Sequence, residues 1–173
     1  MRIYPYQLIY EDKYFFKFLR NGIVVDSGIL LEFLKGHSKI DLTMKEKEVF
    51  YKLERFLSLG CNKYITPHIL AELSNLINSR IPKSKFTDFI ELIRTKLKDY
   101  EEVPINKEEI LEEEIVNNFG ITDAGITLDS RKNKKIILTG DYPFCKECQI
   151  KQELSVIHLG DLDNFFFTLS CFK

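Results

Sequence analysis

Short β-branched apolar runs alternate along this chain with longer stretches in which apolar residues recur every three or four positions. The first kind of pattern predicts buried strands and the second predicts helices with one apolar face. Ile23–Val25 is the first clear strand. Residues 28–34 then read as a short helix ended by Gly36. Thr43 and Glu46 have capping-box spacing for a helix over 44–59, whose apolar face is Val49, Phe50, Leu53, Phe56 and Leu57. Gly60 stops it, and Lys63–Ile65 is the next strand. Thr66-Pro67 pairs an N-cap with a first-position proline and predicts a helix to about Ser79. Pro82 breaks the chain before a basic-faced helix over 84–98. Residues 100–105 give a third, poorer strand, and Asn106 starts an acidic helix over 107–118. Thr122 is expected to cap the helix that carries Asp123. Ile136–Thr139 and 154–157 are the last strands, and Asp161 or Asp163 caps a final phenylalanine-rich helix. Apolar strands separated by helices predict an α/β fold, a mostly parallel sheet covered on both faces.

Composition leaves that picture intact. The chain has 173 residues, 45% hydrophobic and 29% charged, which suits a single domain with its own core. Residues 1–21 are expected to be an aromatic extension packed on a domain that occupies 22–173. A net charge of −1 gives no global basic field, so nucleic acid would be held by a local patch or through metal. Four cysteines in a chain of this length do not make a disulfide scaffold. No uncharged run approaches the ~20 residues of a membrane span. A cytoplasmic protein with reduced thiols is expected.

The chemistry lies in four acids, each beside an apolar run: Asp26 after Ile23-Val24-Val25, Glu72 within Thr66–Leu73, Asp123 within Gly120–Ile126, and Asp141 after Ile136–Gly140. Carboxylates seldom border a core without a partner. In an open parallel sheet, ligands sit beyond the carboxyl ends of the strands. Asp26 and Asp141 follow strand ends, and Glu72 and Asp123 lie early in helices, so all four are expected at that edge. Their mutual repulsion asks for a divalent cation, and hard Mg2+ or Mn2+ suits oxygen ligands. Ser27 and Thr139 place hydroxyls beside Asp26 and Asp141 as supports. Taken singly, each acid reads better as a helix cap or a solvated residue; the case rests on all four falling at one edge of the sheet.

Val24-Val25-Asp26-Ser27-Gly28, Thr66–Leu73, Ile121–Ile126 and Ile137-Leu138-Thr139-Gly140-Asp141 resemble, in order and spacing, the four motifs of the PIN-domain nucleases, which include VapC-type toxins. The likeness covers roughly residues 22–160. It implies a three-layer α/β/α sandwich around a five-stranded parallel sheet of order 3-2-1-4-5. It implies Mg2+- or Mn2+-dependent phosphodiester hydrolysis, most often of RNA, with Asp26, Glu72, Asp123 and Asp141 as the catalytic metal site and Ser27 and Thr139 as supports. It also brings in an antitoxin protein as a partner. This chain is longer than a small toxin, and Tyr142-Pro143-Phe144 stands where many relatives carry further polar residues.

Other features are weaker. His68 is four residues before Glu72 and can share its helix face, within reach of a phosphate. Arg80, Lys83 and Lys85 belong to a basic group around Pro82 that could grip RNA or DNA; Arg131-Lys132-Asn133-Lys134-Lys135 reads instead as a cation-rich helix end. Asp129, about 120° around the helix from Asp123, reads as solvated. Cys145 and Cys148 form a lone CxxC, read as a loop with two reduced thiols, since a zinc site needs two more ligands. His37 and His158 have no ligand spacing and read as structural. The acids between Asp99 and Glu114 form an exposed face that repels nucleic acid. Phenylalanines 165–167 and 172 exceed what one narrow face buries, and they cover a sheet edge or meet a second copy of the chain. A nucleic-acid-binding module without activity is the alternative to a nuclease. Asp26-Ser27-Gly28 lacks the Asp-x-Asp of haloacid-dehalogenase-like phosphatases, the acceptor pattern of a response-regulator receiver is not evident, and no Walker loop is present.

Overall fold

Residues 20–171 are described by a computed structural model of the chain, with side chains as far as Phe167. The expected aromatic extension falls almost wholly outside these residues. In chain order the elements are β1 (Ile23–Val25), α1 (Ser27–His37), α2 (Met44–Leu57), β2 (Lys63–Ile65), α3 (Pro67–Arg80), a 3-10 turn (Lys83–Lys85), α4 (Phe86–Lys96), β3 (Glu101–Glu102), α5 (Lys107–Leu111), α6 (Val116–Phe119), α7 (Ile121–Asn133), β4 (Ile136–Thr139), α8 (Tyr142–Ile150), β5 (Val156–His158), a second 3-10 turn (Leu159–Asp161) and α9 (Leu162–Cys171).

The five strands form one sheet of order β3-β2-β1-β4-β5, and every pairing is parallel. Val24 is flanked by Tyr64 of β2 and Ile137 of β4. Every residue of β1 and β4 is buried. Successive strand residues point to opposite faces, so helices must cover the sheet on both sides. The result is the three-layer α/β/α arrangement expected from the alternating pattern.

Differences from the sequence reading have identifiable causes. Gly36 does not end α1. A Cβ there would sit 1.9 Å from the Phe50 ring, so Gly36 is what lets α1 and α2 approach. The capping box at Thr43 and Glu46 forms as expected. The acidic stretch does not make one helix but two short ones, α5 and α6, because only Ile110 and Ile115 are firmly buried there. Thr122 does not cap α7; Gly120 occupies that position with φ +91°, a conformation suited to glycine. The third strand shrinks to two exposed residues at the sheet edge.

The largest difference is α8. Cys145 and Cys148 lie on the buried side of this helix, not in a loop. Asp141 accepts from the backbone N–H of Phe144 (2.9 Å), and Pro143 sits in the first turn. That cap-and-proline signature was present in the sequence, and a parallel β4–β5 pair needs a crossover of this kind. Burial pushes the Cys145 thiol up to about 11 and that of Cys148 to about 12. Thiols held protonated in this way are poor nucleophiles and poor metal ligands.

At the end of the chain, Phe165 and Phe166 pack on Phe56, and the Arg55 guanidinium lies 4.0 Å from the Phe166 ring centroid. Phe167 is exposed. Phe172 lies outside the described residues. No helix among the described residues is long and apolar enough to cross a membrane.

Candidate active site

The strand order reverses between β1 and β4, and both strands end in the residues singled out from sequence. Asp26 follows β1, and its backbone N–H bonds to the Leu138 carbonyl (3.0 Å). Thr139 closes β4 with its side chain fully buried. Its hydroxyl donates to Asp26 Oδ2 (2.7 Å) and accepts from the Asp141 backbone N–H (3.0 Å). A single hydroxyl therefore ties Asp26 to the turn that carries Asp141, across the topological switch point where open α/β sheets hold ligands. Ser27, also buried, donates to Asp26 Oδ1 (3.2 Å). Both hydroxyls thus bond to Asp26, and that of Thr139 also holds the Asp141 backbone.

Glu72 and Asp123 reach the same edge from helices. Thr66 caps α3 by accepting from the Ile69 N–H (3.3 Å), which fixes the start of the helix beside the end of β2. Glu72 is half-buried in its second turn and Asp123 half-buried in the first turn of α7. Among the described residues no side-chain hydrogen bond reaches either carboxylate.

Asp123 feels the charge of the other three acids. Burial, reinforced by the negative charges of Asp26, Glu72 and Asp141, pushes the Asp123 carboxyl up to about 8. Asp26 is also raised. Burial is the main cause and outweighs the hydrogen bonds from Thr139, Ser27 and the Gly28 backbone, while Glu72 adds to the rise. Repulsion of this kind is what a divalent cation relieves.

The donor set fits a hard cation: four carboxylates, with no buried lysine or arginine among them. The geometry is looser than a finished site. Among the described residues no three His, Cys, Asp or Glu side chains are grouped closely enough to hold a metal ion. Both oxygens of Asp26 and one of Asp141 already accept hydrogen bonds from the protein. Asp141 thus does serve as a helix cap, with Oδ2 left for another partner. Thr139→Val removes the hydroxyl that orients Asp26. By analogy with other residues that orient ligands, it is expected to lower Mn2+ affinity about 10- to 100-fold, read by calorimetric titration, with little change in the fold.

The remaining candidates are dispersed. His68 lies near the acids' side of α3, but its Nδ1 is buried without a partner, 3.9 Å from where a Cβ on Gly125 would sit. Arg80, Lys83 and Lys85 have no ion pair among the described residues. Arg80 is eight residues beyond Glu72 on α3, about 12 Å along its axis, so this group lies toward the far end of the helix. In the other basic cluster, Arg131 pairs with Glu113 (2.7 Å), Lys132 with Glu109 (2.5 Å) and Lys135 with Asp129 (3.0 Å). Arg131 and Lys132 thus neutralise the chain's own acidic segment. Asp129 is not solvated but buried, and it is a structural ion pair. His158 and His37 are structural too: His158 accepts from the Gly160 N–H (3.1 Å), and His37 sits edge-on to Phe33 and Phe50.

The chain matches no protein-family model, and no curated protein matches its sequence.

Proposed function

We infer that this chain is a metal-dependent endoribonuclease of the PIN type, with Asp26, Glu72, Asp123 and Asp141 as its carboxylate site. The observation that carries the reading is the Thr139 hydroxyl, which links Asp26 to the Asp141 turn at the switch point of the sheet. The raised Asp123 carboxyl adds to it. A bound Mg2+ or Mn2+ would lower the pKa of a water and neutralise charge on a phosphodiester. Asp26, held by Thr139 and Ser27, and Asp141, held by its own helix, are the pre-oriented ligands in this scheme. Asp123 and Glu72 would be the adaptable ones, and Asp123, raised by burial and its acid neighbours, would hold the cation in its ionised form. The same reading extends to a toxin role, with an antitoxin on another chain as the partner, and to DNA as a second substrate.

A catalytically silent nucleic-acid-binding module is the second reading. The specific observation in its favour is that, among the described residues, no three donors are grouped as a metal site. Cleavage separates the two. Wild-type protein with 1 to 5 equivalents' excess of a chelator over Mn2+ is expected to leave RNA intact, and restoring Mn2+ is expected to restore hydrolysis on a denaturing gel. RNA binding with no cleavage at any Mn2+ or Mg2+ concentration would favour the silent module.

A further inference from the structure

Tyr142 is 58% exposed immediately after Asp141, at the first position of α8. Large exposed aromatics scattered singly need no explanation, but this one is braced. The His158 ring meets it edge-on, with centroids 5.7 Å apart. His158 is itself fixed, its Nε2 against the Gly140 carbonyl (3.2 Å) and its Nδ1 accepting from the Gly160 N–H (3.1 Å). One helical turn on, Lys146 Nζ sits over one face of the Tyr142 ring, 5.3 Å from its centroid, so that the opposite face is the one open to a base. The ring is thus held in place beside the carboxylate edge, accessible to solvent, with a cation close by.

Resting on the nuclease reading, we propose that Tyr142 is a stacking platform for one unpaired base of a single-stranded RNA substrate, with His158 as the residue that positions the ring. An exposed aromatic face takes any base, because every base has a π-face. A base within a duplex is already stacked and cannot use the platform, so the substrate class is single-stranded RNA or a loop. Sequence reading passed over Tyr142 as a departure from the expected polar residues. The signal was an aromatic adjoining the last acid.

The test is equilibrium binding of a fluorescently labelled 12-nucleotide oligoadenylate, and of an RNA duplex of the same length, to the full chain in chelator, where no hydrolysis occurs. Tyr142→Ala is expected to weaken oligoadenylate binding by about 5- to 150-fold, the range for loss of one base–aromatic stack. Tyr142→Phe is expected to keep wild-type affinity, and the duplex is expected to discriminate between none of the three proteins. If wild type binds oligoadenylate and Tyr142→Ala binds it equally well, the platform is wrong and the nuclease reading stands. If Tyr142→Phe is as weak as Tyr142→Ala, the hydroxyl and not the ring face makes the contact, and stacking is wrong. If wild type binds neither RNA, the platform is wrong, while cleavage in Mn2+ still decides the nuclease reading.

Discussion

Lys135→Met is expected to cost about 3 to 5 kcal/mol of stability, the range for removing one partner of a buried ion pair. The Lys135 ammonium lies 3.0 Å from both oxygens of Asp129 and 3.5 Å from the centroid of the Tyr64 ring. Both charged residues are nearly inaccessible, 6% and 2% exposed. Without Lys135, Asp129 would keep only the Asn133 amide (2.7 Å) as a side-chain partner among the described residues. The loss reads out as a fall in melting temperature on the order of 10 °C. Replacing both residues, Asp129→Leu with Lys135→Met, is expected to recover most of it, because no uncompensated charge is left inside. Lys135 precedes β4 and the candidate metal site follows it, so these variants should keep the metal response of the wild type. Loss of both properties together in a protein that remains folded would show that the two ends of the sheet are not independent.

Asp123→Asn is expected to act in the opposite sense on the metal-free protein. The Asp123 carboxyl titrates near 8 in the folded chain against 3.8 ordinarily. Between those values the folded state binds a proton that the unfolded state has released. Stability therefore falls as pH rises through that window, and Asp26, raised by burial in the same direction, adds to the fall. Asparagine carries no charge to desolvate. In chelator, Asp123→Asn should melt level with wild type below about pH 3.8 and increasingly above it as pH rises toward 9, with a flatter dependence between. The same substitution is expected to lower RNA cleavage by at least about 10^2- to 10^3-fold, as removal of a pre-organised charge-stabilising group does. A protein stabilised and silenced by one atom change is a signature of a functional carboxylate; a structural acid would lose stability instead.

Much of this was legible in the sequence, for stated reasons. Ile23–Val25 and Ile136–Thr139 are apolar on both faces, so they had to be central strands. Thr66-Pro67 and Thr43 with Glu46 start their helices where cap chemistry says they should. The Ser27 contact to Asp26 follows from adjacency, whereas the Thr139 contact to Asp26 crosses from β4 to the end of β1 and depends on the pairing of those strands. What was not legible depended on neighbours distant in sequence. Gly36 looked like a helix stop until Phe50 was placed against it. Asp129 reads as solvated because its partner, Lys135, lies beyond the helix end within a basic run. The thiols of Cys145 and Cys148 looked like loop groups because their helix is short and its cap was read only as a metal ligand. Tyr142 has no periodicity to betray it; its importance comes from His158 on the neighbouring strand.

The most direct test of the carboxylate site is the melting temperature at pH 8 with and without Mn2+, for wild type and Asp123→Asn. A cation that binds only the folded state adds RT ln(1 + [L]/Kd), about 2.7 kcal/mol at 100 Kd. Wild type is expected to rise by several degrees on adding Mn2+, while Asp123→Asn, starting higher, does not move. A wild type indifferent to Mn2+, or an equal rise in both proteins, would contradict the four-carboxylate metal site.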